Sequence, residues 1–90
     1  MKKRAVVSVI GKDQIGIIAS VTTVLADNNI NILDISQTIL QDFFTMIMVI
    51  EVDDATNLEP LQQKFAPIEE NMHLKISIQL EDIFQAMHRV

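Results

Sequence analysis

An α+β sandwich with the element order βαββαβ is the fold class that the sequence predicts, and three observations carry it. Four runs of β-branched or alternating apolar residues are separated by two stretches whose apolar residues recur at helical spacing. The chain has 90 residues, 49% of them hydrophobic, which suits one domain with a single layered core. Its only two glycines both fall in Gly11-Lys12-Asp13-Gln14-Ile15-Gly16, where the first run meets the first helical stretch. Where glycine is this scarce, such a cluster marks a backbone shape that other residues tolerate poorly.

The elements follow in chain order. Lys3 to Ile10 reads as a buried strand, and the glycine-bearing segment follows as a tight strand-to-helix turn. A helix from about Gly16 to Asp27 carries Ile17, Ile18, Val21, Val24 and Leu25 on one stripe. Asp27-Asn28-Asn29 closes it, since Asn tolerates the left-handed turn at helix ends. Ile30 to Leu40 is the second strand, with Leu33, Ile35 and Ile39 on one face, and Ile30 and Ile32 with Asp34, Ser36 and Thr38 on the other. Gln41-Asp42 is a hairpin turn without the favoured glycine. Phe43 to Asp53 is the third strand, with Phe44, Met46, Met48, Ile50 and Val52 facing the core.

Asp53 to Asn57 is a polar break with N-cap candidates. The second helix carries Leu58, Leu61, Phe65, Ile68 and Met72, and Pro67 predicts a break near Phe65-Ala66. His73 to Glu81 alternates as a fourth strand, and a short amphipathic helix over about 81–89 brings Ile83, Phe84 and Met87 to one side. The crossover rule then favours a split βαβ, ferredoxin-like sandwich. Its four antiparallel strands take the order 4-1-3-2, with both main helices on one face. The whole chain, 1–90, reads as one domain with its core in about 4–80.

Composition narrows the function. Net charge is −5 and the isoelectric point about 4.7, which argues against a nucleic-acid partner, since phosphate neutralisation needs Lys and Arg. Met1-Lys2-Lys3-Arg4 is basic, but Ala5 to Ile10 is too short for a signal-peptide core. No apolar run approaches the roughly 20 residues that span a bilayer. A soluble, cytoplasmic protein without a membrane partner is the expectation. The absence of cysteine excludes disulfides, thiolate metal sites and cysteine nucleophiles.

No catalytic pair is predicted. Ser8, Ser20 and Ser36 have no histidine near them in sequence, and His73 and His88 read as solvated. Glu51, Asp53 and Asp54 lack paired ligand spacing and read as a polar helix entry rather than a metal site. Met46 and Met48 read as core filling. Neither a metal nor a cofactor is expected. An RNA-binding module of this topology needs exposed aromatics on the central strands, and the first strand has none. An acylphosphatase-like enzyme needs a loop arginine, and here the loop offers Lys12 beside a repelling Asp13. What remains is the loop itself. A strand-to-helix turn exposes the free N–H groups of the helix's first turn at the positive end of its dipole, a place for a small carboxylate.

The run Gly11-Lys12-Asp13-Gln14-Ile15-Gly16-Ile17-Ile18, then Leu25, Asn31-Ile32 and Asp34, resembles the ACT domain, a family of small modules that sense amino acids and regulate metabolism. The resemblance covers residues 4 to 80 and is closest to stand-alone members of the glycine-cleavage repressor type. Their usual loop reads Asp-Arg-Pro-Gly. Here Asp13 and Gly16 stand, and Gln14 and Ile15 replace the Arg and Pro. The resemblance implies an amino acid held between the glycine-bearing loop and the start of the second strand, often across a dimer interface. Backbone N–H groups of Ile15, Gly16 and Ile17 would take its carboxylate, Asp13 or Asp34 its ammonium, and Asn31 either group. Gly11 and Gln14 complete the expected set.

Plainer readings stand beside these: the glycines as a tight turn with close helix–strand packing, Asn31 as a polar strand start, and Asp13 as an N-cap. Because the helices cover one sheet face, Ile30, Ile32, Ile47 and Val49 are expected on the other, which predicts a homodimer there or along the edge of the second strand. Alternatively the terminal helix caps that face. The reading is a regulatory, non-enzymatic module acting through a partner enzyme or regulator. The alternatives are an interaction module of the same fold without a working ligand site or, less favoured, the acyl-phosphate enzyme.

Overall fold

A computed structural model describes residues 2–53, 58–82 and 86. The elements are β1 (Lys2–Lys12), α1 (Ile17–Asp27), β2 (Asn31–Leu40), β3 (Phe43–Asp53), α2 (Leu58–Lys64), α3 (Ala66–Met72) and β4 (Leu74–Leu80). The four strands form one sheet in the order β2-β3-β1-β4, every neighbouring pair antiparallel. This is the expected ferredoxin-like order. The N-cap candidates in 54–57, the residues Ile83, Phe84 and Met87 of the expected terminal helix, and His88 lie outside the described residues. Glu81, Asp82 and Ala86 are helical.

The core follows from strand alternation. Ala5, Val7 and Val9 of β1, Phe44, Met46, Met48, Ile50 and Val52 of β3, and Leu74 and Ile76 of β4 point to one face and are buried. Ile17, Val21 and Leu25 of α1, with Leu61 and Phe65 beyond, close over them. Each recurs at three- or four-residue spacing, so each helix lays one apolar stripe on the sheet.

Helix boundaries have local causes. Among residues 25–30, the N–H of Asn29 donates to Ala26 C=O (3.0 Å) and that of Ile30 to Leu25 C=O (3.0 Å), while Asn29 sits at φ 58°. That is the paired 6→1 and 5→2 closure in which a left-handed Asn ends a helix. The second helical stretch breaks at Phe65, as Pro67 predicted. A proline ring inside a continuous helix would clash with the carbonyl four residues back, whereas here Pro67 occupies the first turn of α3.

Three expectations need correction. Gly11 is not part of a turn: β1 continues through it to Lys12, with Gly11 paired to Phe44 on one side and Leu74 on the other. Its lack of a side chain admits the start of β4. A Cβ there would meet Leu74 Cδ2 at 2.5 Å and the His73 carbonyl oxygen at 3.2 Å. Second, Ile32 does not share a face with Asp34. The register shifts between Ile32, opposite Ile50, and Asp34, opposite Val49, with Leu33 as the extra residue of a bulge. Third, and as a result, Ile30 and Ile32 pack against the helix-side core. Ile47 (39% exposed) and Val49 do lie on the opposite face.

Candidate functional site

Antiparallel pairing of β3 with both β1 and β2 makes β1 and β2 run in the same direction. Their C-terminal ends therefore share one edge of the sheet, beside the β1–α1 loop. The Asp13 N–H donates to the Asp42 carbonyl at 2.6 Å and ties this loop to the β2–β3 turn. Gln14 Nε2 donates to the carbonyls of Lys12 (3.2 Å) and Met72 (2.8 Å), which ties it to the end of α3. The loop is thus held from both sides. Gly16 then takes φ 95° and ψ 0°, a left-handed geometry that costs an L-residue with a side chain about 1–2 kcal/mol.

This turn leaves the start of α1 bare. No side chain caps it and its first turn carries no acidic residue. The first intrahelical bond is donated by Ser20 N–H to the Gly16 carbonyl (2.9 Å), so the N–H groups of Ile17, Ile18 and Ala19 have no acceptor within the helix. Below them is a cavity of about 240 Å³ lined by Asp13, Gln14, Gly16, Ile17, Ile18, Ala19, Gln37, Ile39 and Phe44. Its volume is below the range of about 300–1,000 Å³ typical of drug-sized ligands and matches a small metabolite. One wall is apolar, the helix start supplies donors, Asp13 supplies a carboxylate, and Gln37 supplies an amide.

The expected site residues divide into groups. Asp13, Gln14, Gly16 and Ile17 line this cavity. Ile15 stands beside it with 98% of its surface exposed. Gly11 acts through packing rather than contact, and Lys12 ends β1 opposite Phe43. Asn31 and Asp34 are elsewhere. Asn31 pairs with Glu51 near the far end of β3, eight residues from Phe43, or about 25 Å along the strand. There it borders a separate hollow with Thr22, Thr23, Ala26, Ile30 and Ile32. Asp34 Oδ1 accepts the N–H of Ile35 at 2.9 Å, inside the bulge. Within one chain, neither reaches the loop.

Gln37 and Ile39 were not anticipated. The signal was available: a 4-1-3-2 order makes β1 and β2 parallel in direction, so the end of β2, not its start, must neighbour the loop. β2 is an edge strand with nine of its ten residues exposed, including Ile35 (44%), Ile39 (53%) and Leu40 (71%). Among the described residues, no group of three or more His, Cys, Asp or Glu side chains is placed to hold a metal. None of the described helices is long and apolar enough to cross a membrane.

Comparison with known proteins agrees with this architecture. The ACT domain profile matches residues 3–79. A UPF0237 protein of Clostridium perfringens is 46% identical over 87 residues, which cover 96% of this chain and 98% of the relative. A solved ACT domain protein from Streptococcus pneumoniae superposes with a TM-score of 0.79 at 38% identity, covering 96% of this chain and 98% of that one. The regulatory subunit of aspartate kinase from Thermus thermophilus shares the fold, with a TM-score of 0.68 at 23% identity over 86% of this chain and 50% of that one.

Proposed function

The chain belongs to the ACT domain family of regulatory modules, and from this premise we propose that it senses a free amino acid or a closely related zwitterion at the β1–α1 loop. The observation that carries the proposal is the uncapped start of α1 above a 240 Å³ cavity bordered by Asp13. A carboxylate there gains the N–H groups of Ile17 and Ile18 and the positive end of the helix dipole. An ammonium a few ångströms away gains Asp13, by a charge-assisted hydrogen bond. Gln14, whose amide is committed to two backbone carbonyls, positions the loop rather than touching the ligand. Ile18, Ile39 and Phe44 meet the ligand's side chain and favour a small apolar one.

Asn31 enters this reading through a second copy. β2 is an open, apolar edge, and two such edges pair antiparallel about a two-fold axis. That pairing sets the start of one β2 beside the end of the other, so Asn31 of a second copy comes to the loop of the first. In this reading the chain passes its signal to a partner enzyme or regulator in the cytoplasm and has no catalysis of its own; the match to the ACT domain family over residues 3–79 supports the regulatory part.

Thermal unfolding against a panel of amino acids tests the reading. A ligand at about ten times its Kd stabilises the folded state by about 1.4 kcal/mol, which raises Tm by several degrees in a domain of this size. The effect is expected for small apolar amino acids and not for acetate or methylamine, each of which satisfies half the site. No shift for any amino acid at millimolar concentration would favour an interaction module without a ligand.

A further inference from the structure

The two edges of the sheet are finished differently. On β4, Ile76 and Ile78 pair with Val9 and Val7, and their backbone groups face away from β1. Side chains from the helices occupy these groups. The Ile76 N–H donates to Glu69 Oε2 (3.0 Å), and the Ile78 N–H donates to Gln62 Oε1 (3.1 Å). Gln62 Nε2 in turn donates to the Ile76 carbonyl (2.6 Å). One glutamine amide therefore takes both the acceptor and the donor that an added strand would use. All three bonds are partly buried.

On β2 the two-residue hairpin register turns the backbone groups of Ile35, Gln37 and Ile39 outward. Among the described residues, only Ile35 N–H has a side-chain partner there, from Asp34 on the same strand. No helix side chain among the described residues bonds Gln37 or Ile39. An unfilled edge is a template for strand addition, and a filled one is not.

We propose that Gln62 and Glu69 are edge guards: by occupying the outward groups of β4 they confine strand-to-strand association of this protein to β2. Without them each chain has two open edges, and a β2-to-β4 contact is heterologous. Such contacts add chains head to tail, into rings or open linear assemblies of more than two copies. With them, association stops at a closed pair. Guarding of the β4 edge does not depend on a ligand at the loop.

The test is the mass distribution of the full chain carrying Gln62→Ala and Glu69→Ala together, by light scattering across a hundredfold concentration range. Species several-fold heavier than wild type are expected, growing with concentration. Glu69→Gln, which keeps an acceptor for Ile76 N–H, is expected to match wild type. A folded double variant with wild-type mass throughout would overturn the proposal. If the double variant does not fold, the single variant Gln62→Ala is read by amide hydrogen exchange. Exchange at Ile78 is expected to be at least tenfold faster when dilute and to slow again as concentration rises. Exchange at Ile78 that is unchanged, or faster but independent of concentration, would equally overturn it, because generic exposure of the core does not reprotect that amide.

Discussion

Leu74 of β4 pairs with Gly11 of β1, so close that a methyl group on Gly11 would stand 2.5 Å from Leu74 Cδ2. This contact sets the approach of β4 to β1 where both strands meet the loop. Gly11→Ala therefore forces Leu74 aside while the His73 carbonyl, 3.2 Å away, resists as backbone. Overpacking of this kind costs about 1–3 kcal/mol. Denaturant unfolding should show that loss, and Leu74→Val should relieve part of it in a double-mutant cycle.

Gly16 is required for a different reason. The nearest atom to an added Cβ is Met72 Cε at 4.0 Å, so there is space, but φ is 95°. Gly16→Ala is expected to lose about 1–2 kcal/mol through backbone strain alone, and Gly16→Asn less, because Asn tolerates the left-handed region. Equal losses for the two variants in chemical denaturation would contradict this.

His73 shows the converse. It closes α3 at φ 54° and ψ 49°, a position where glycine is preferred. His73→Gly should gain about 0.5–1 kcal/mol, the relief of left-handed strain less the added freedom of the unfolded chain, seen as a Tm higher by a few degrees; an unchanged or lower Tm would contradict this.

The β2 edge carries the prediction about assembly. Ile35→Lys places a charge on an exposed edge strand without touching the buried core. If two copies pair along β2 as proposed, the variant should keep its circular dichroism spectrum and show a lower mass than the parent at equal concentration; equal masses for a parent dimer and the variant would contradict pairing at this edge. If Asn31 of a second copy completes the site, amino-acid affinity falls with it.

Much of this arrangement was legible in the residues themselves. The alternation in Leu74, Ile76 and Ile78 defined β4, and Pro67 marked the break at Phe65, because both are local effects of spacing and ring geometry. The bulge at Leu33 was not legible. An extra residue changes no composition, yet it reverses every face assignment before it, which is why Ile30 and Ile32 proved to be core. Gly11 was misread because a glycine needed for close approach and one needed for positive φ look alike in sequence. The loop itself was anticipated. Its neighbours Gln37 and Ile39 depended on strand direction, a property of the whole sheet and not of any one segment.

The proposed ligand is a zwitterion at the start of α1, between Asp13 and Ile39. Amide chemical-shift mapping during titration with small apolar amino acids tests it most directly. Saturating shifts are expected at Ile17, Ile18, Gln37 and Ile39, and are expected to be lost in Gly16→Val. Saturating shifts confined to other parts of the sheet, or none at millimolar ligand, would contradict it.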